Sequence, residues 1–95
     1  MKYEIVWSSN EPLHDGRASK KTLILAENNK HYLVSEVDLP FGFGSSSREA
    51  MIFACDDEGD VISYSDLVVA SNSEKALKRF ESMRAEDIDK NIEYD

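Results

Sequence analysis

The stretch from Ala50 to Cys55 reads AMIFAC, six apolar residues in succession. As a strand it has no wet side: Met51, Phe53 and Cys55 fall on one face, Ala50, Ile52 and Ala54 on the other. A strand of that kind is normally interior to a sheet and covered on both faces. One cover is a helix that follows in the chain. The other must come from the N-terminal segment, from a curled sheet or from another chain.

The rest of the sequence arranges itself around this strand. KYEIVW alternates, with Tyr3, Ile5 and Trp7 set against Lys2, Glu4 and Val6, and predicts a first strand over 3–7. A polar connection containing Pro12 and Gly16 follows. TLILA and HYLVSEVDL flank the turn ENNK, whose asparagines tolerate positive φ, and predict a hairpin with strands at 22–26 and 32–39. In its second arm Leu33, Val37 and Leu39 share one face, and Glu36 and Asp38 point the other way. A second hairpin joins strands at 49–55 and 61–69 through DEG, with Gly59 supplying the turn.

SNSEKALKRFESM predicts one helix over 72–83, with Ser71 and Glu74 as a capping box and Leu77 and Phe80 on its apolar stripe. Phe53, Ile62, Leu77 and Phe80 are the expected core. Beyond Glu86 the chain is acidic with little to pack, so 87–95 is read as a frayed tail. The fold class is α+β: a single small domain over 1–95, an antiparallel β-sheet meander of four to five strands with one C-terminal α-helix.

Charge separates the two halves. Residues 1–48 carry six acids and six bases; the remaining 13 of 19 acids and 5 of 11 bases lie in 49–95, which therefore holds the whole net charge of −8. Nucleic acid and anionic lipid reward positive charge, so direct binding to either is disfavoured and a basic protein partner is favoured. The start MKYEIVWSSNE lacks the apolar core of a signal peptide, and no apolar run approaches the roughly 20 residues of a membrane span. With one cysteine there is no disulfide framework, and a cytoplasmic setting is expected.

Catalytic patterns are missing. GFG at 42–44 begins like a phosphate-binding turn, but no third glycine and no Gly-Lys-Ser/Thr follows. The phenylalanines of this loop, Phe41 and Phe43, are either caps on the sheet or anchors for a partner. Asp56, Asp57, Glu58 and Asp60 crowd one turn without the ligand spacing of an EF-hand, and His14 and His31 are too far apart in sequence for a ligand pair. Cys55, mid-strand among apolar neighbours, reads as an inert thiol. The expectation is no enzyme activity, no cofactor and no metal.

The stretch from Tyr32 to Glu81, about half the chain, resembles a loose group of small acidic proteins carried by phages and mobile elements. The likeness rests on an E-x-M-x-F strand (Glu49, Met51, Phe53), a D-x-x-G-x-V turn (Asp56, Gly59, Val61), a Y/W-S-D/E-L stretch (Tyr64, Ser65, Asp66, Leu67) and a short helix after it. The resemblance implies a phage-borne accessory protein, a class that includes anti-CRISPR and other anti-defence inhibitors, and it carries over no catalytic residue. Joined to the charge, it gives the leading expectation: an inhibitor that binds a basic groove of a host nucleic-acid-handling protein such as a CRISPR effector. Its contacts would come from Phe41, Phe43, the turn acids Asp56, Asp57, Glu58 and Asp60, and a second acidic group, Glu86, Asp87 and Asp89. The alternative is a non-enzymatic assembly module that forms a homo-oligomer, such as a homodimer, through an apolar sheet face.

Overall fold

A computed structural model describes residues 1–12, 17–38 and 48–91, with side chains described up to Ile88. Five strands form one antiparallel sheet in chain order: β1 (Tyr3–Asn10), β2 (Ser19–Ala26), β3 (His31–Asp38), β4 (Arg48–Cys55) and β5 (Val68–Ala70). Two helices follow, α1 (Ser73–Glu81) and α2 (Ala85–Asn91). The α+β meander is therefore the fold.

The β2–β3 turn forms as its asparagines suggest. Asn29 takes φ 64° and donates its N–H to the Ala26 carbonyl at 3.0 Å. Asn28 Oδ1 accepts the Lys30 N–H at 3.1 Å, and Asn28 Nδ2 donates to the Tyr32 hydroxyl. Local side-chain bonding of this kind is why asparagine is favoured in turns.

The core lies between the sheet and α1. From the sheet come Ile24, Ala26, Tyr32, Val34, Ala50, Ile52, Ala54, Val68 and Ala70; from the helices come Ala76, Phe80 and Ile88. Phe80 is fully buried between two tyrosines, edge-on to Tyr3 at 6.1 Å and tilted against Tyr32 at 5.0 Å. Such ring pairs add to the stabilisation from area alone. The opposite sheet face carries a second, small cluster of Leu23, Leu33 and Cys55 with Val61 against it. So a helix covers one face of β4, while on the other Cys55 is buried beside Val61 and Met51 and Phe53 stay partly buried.

The structure revises several local expectations. Residues 61–69 do not form one strand. Val61 makes a lone bridge to Cys55, Ile62 N–H reaches the Ala54 carbonyl, and the chain then leaves the sheet until Leu67 N–H meets the Ile52 carbonyl. Between them Ser63 is buried and its Oγ accepts the Ser65 N–H at 3.4 Å, a local bond of the kind that competes with a ladder. Ile62 is consequently 43% exposed and outside the core, while Phe53 and Leu77 are only partly buried.

The capping box of Ser71 and Glu74 gives way to Asn72, which sits extended at φ −158° and accepts the Lys75 N–H at 2.9 Å. Tyr3, Ile5 and Trp7 do not share a face, because β1 bulges between Ile5 and Trp7. Tyr3 and Ile5 pair with Ala26 and Ile24, Trp7 with Leu23, so Trp7 lands on the far side from α1. Finally, residues 85–91 are helical, and Ile88 is fully buried in the main core.

Candidate protein-binding surface

The acidic turn is built on the far side of the sheet from the helices. Asp56 Oδ1 accepts two backbone N–H groups, from Glu58 and from Asp60, each at 2.9 Å. The Asp56 N–H donates to the Asp60 carbonyl at 2.9 Å, which closes the loop. Gly59 then takes φ +93°, where a side chain is strained, and a β-carbon there would stand 3.0 Å from Trp7 Cζ2. The turn thus lies against the Trp7 ring. Asp57, Glu58 and Asp60 are left exposed.

Asp56 has a different fate from its neighbours. It is half-buried and occupied by its own turn, so it acts as a frame for the other three. Asp57, Glu58 and Asp60 stand exposed beside it, close together on one turn. The Cys55 thiol beside them is pushed up to about 12, by burial first and then by the Asp56 and Asp60 carboxylates. It is overwhelmingly protonated at neutral pH and a poor nucleophile.

Glu86 and Asp87 sit exposed in the first turn of α2, where acids complement the positive end of the helix dipole. The side chain of Asp89 and the segment holding Phe41 and Phe43 lie outside the described residues. The two residues that flank that segment, Asp38 and Arg48, are joined by an ion pair at 2.7 Å.

The same corner holds a cluster that sequence reasoning passed over. Glu36 projects toward the helices, 8% exposed, instead of outward. Its Oε2 accepts from the Ser73 N–H at 2.8 Å and from Ser73 Oγ at 2.5 Å, and its Oε1 accepts from Arg48 at 2.7 Å. Asp38 takes the other side of the Arg48 guanidinium and also accepts the Ala18 N–H at 3.0 Å. Burial alone would raise the Glu36 carboxyl, but the two Ser73 bonds and the Arg48 charge outweigh it and hold it below the ordinary carboxylate range. A cleft of about 260 Å³ opens beside it, with Pro12, Ser19, Lys20 and Arg48 among its walls. No cluster of metal-ligating side chains occurs among the described residues.

The signal for Glu36 was an acid on the strand face that also carries Tyr32 and Val34. Alternation separated the two faces of β3 correctly. It did not say which face meets the helix. Tyr32 and Val34 do, and Glu36 goes with them.

No helix among the described residues is long and apolar enough to cross a membrane. Comparison of the chain with protein-family models, with curated proteins and with solved structures gives no match.

Proposed function

We propose that this domain acts by binding, as an inhibitor that lays its acidic turn into a basic, nucleic-acid-binding groove of a host protein. The likeness of residues 32–81 to phage-borne accessory proteins makes an anti-CRISPR role the specific form of the reading, with a CRISPR effector as the partner. The supporting observation is the fixed turn: three exposed carboxylates braced by Asp56 below and by the Trp7 ring behind. A braced group loses little conformational entropy on docking, and its oxygens accept from arginine and lysine as phosphates do.

Truncating a desolvated, arginine-paired carboxylate costs about 2–5 kcal/mol of affinity, whereas a rim charge costs far less. The first measurement is capture from bacterial lysate, which should retain a nuclease or its guide complex. Asp57→Asn, Glu58→Gln and Asp60→Asn are then measured one at a time against the retained protein. At least one should weaken binding more than tenfold with an unchanged thermal midpoint, and the wild-type complex should weaken as salt rises. Binding indifferent to all three changes and to salt would remove the acidic turn from the interface. Phe41→Ser with Phe43→Ser belongs in the same series: lost affinity with a steady midpoint makes them anchors, and a lowered midpoint makes them caps.

A further inference from the structure

Among the described residues, β1 is an edge strand of eight residues with only β2 beside it. At its centre Ile5, Val6 and Trp7 stand 59%, 49% and 37% exposed. Three exposed apolar residues in sequence on a strand edge are a template for pairing with another strand.

The backbone register tells which groups such a strand would meet. Glu27 N–H donates to the Lys2 carbonyl at one end of β1, and Glu11 N–H to the Ser19 carbonyl at the other. In an antiparallel ladder, residues alternate between facing the neighbour strand and facing away. Counting inward from these two bonds, with the register shift between Ile5 and Trp7, Tyr3, Ile5, Ser8 and Asn10 face outward. Among the described residues, no strand lies on that side.

We propose that two copies of this chain pair through β1, antiparallel, about a twofold axis at the Val6–Trp7 bulge. The register sets Tyr3 opposite Asn10 of the second copy, Ile5 opposite Ser8, and Val6 opposite Trp7. Two features agree on it, the parity of the strand and the charges at its ends. All four outward-facing residues then fall into hydrogen-bonded pairs. The helix-side residues Tyr3 and Ile5 meet helix-side residues Ser8 and Asn10, because the bulge has switched the parity of the strand halfway along. Exposed Lys2 comes opposite exposed Glu11, and the symmetry makes that contact twice. The last point is what selects a second copy over a foreign strand: the edge carries a base at one end and an acid at the other, so it complements itself when reversed. The two sheets become one sheet of ten strands, and the apolar centre is covered. This pairing does not depend on what the acidic turn binds.

Sedimentation across a concentration series tests it. The expected species is a dimer, twice the 10.8 kDa of the chain, with a concentration-dependent monomer. Ile5→Lys, at a site already exposed, should weaken the dimer at least about tenfold while the thermal transition at low protein concentration is kept. Lys2→Glu and Glu11→Lys should each weaken it about three- to tenfold, and the double variant should recover most of that loss. In hydrogen exchange, the amides of Tyr3, Ile5, Ser8 and Asn10 should become protected as concentration rises. A chain that stays monomeric to about millimolar concentration overturns the proposal, and leaves β1 to a foreign strand if lysate capture depends on Ile5. A dimer that survives Ile5→Lys unchanged overturns it in favour of another face. Failure of the double charge variant to recover, or of the four amides to gain protection, overturns the register.

Discussion

Glu36 answers to three donors at once, and it links β3, β4 and the start of α1 through one side chain. Replacing it with glutamine keeps the size and removes the charge that Arg48 and Ser73 address. The expected loss at pH 7 is about 2–3 kcal/mol, the range for a hydrogen-bonded, largely buried charge. Its dependence on pH has a definite sign. The carboxyl is held lower in the folded chain than its unfolded value near 4.3, so its contribution is full above that value. It drains away as pH falls through the folded pKa. The gap in urea midpoint between wild type and Glu36→Gln should therefore be constant from about pH 6 upward and should narrow below about pH 4. A gap of equal size at pH 7 and pH 3 would show that the charge contributes nothing.

At the scale of elements, α1 and α2 close the core with three fully buried side chains, Ala76, Phe80 and Ile88. Phe80→Ala should cost about 3–5 kcal/mol and Ile88→Ala about 2–4 kcal/mol. A domain of this size has a total on the order of 5–10 kcal/mol, so either change should lower the thermal midpoint by more than ten degrees. A loss under about 1 kcal/mol at Ile88 would mean that α2 merely rests on the sheet. Phe80 was legible because Leu77 and Phe80 recur at helical spacing, although Leu77 itself ends only partly buried. Ile88 was hidden because Glu86, Asp87 and Asp89 around it make the segment read as an acidic tail, although Ala85 and Ile92 recur at helical spacing in the sequence. β5 was over-read for the opposite reason. Val61, Ile62, Leu67 and Val68 look like strand residues, and only the hydrogen bonding of Ser63 shows where the ladder is interrupted. The acidic turn was legible in position and composition, yet not in the division of labour that makes Asp56 its internal brace.

For the whole molecule, strand order equals chain order, so each strand pairs with the one made just before it. The helices that cover the sheet come last. A chain ended after Ala70 keeps all five strands and leaves Ile24, Tyr32, Val34, Ile52 and Val68 without their lid. It should aggregate or bind an apolar dye strongly, whereas the full chain should do neither. A soluble truncated chain that ignores the dye would show that the sheet is self-sufficient. The same order of construction sets a clock during synthesis. Residues 71–91 amount to about 20, and at about 5–20 residues per second a ribosome needs on the order of 1–4 s to add them. A single hairpin closes in about 1–10 μs, so the early hairpins can stand with their apolar side open before the helices arrive. A chaperone that shields nascent apolar surface would find its target there, and slower translation of the last segment would lengthen the window in which neighbouring nascent chains can meet.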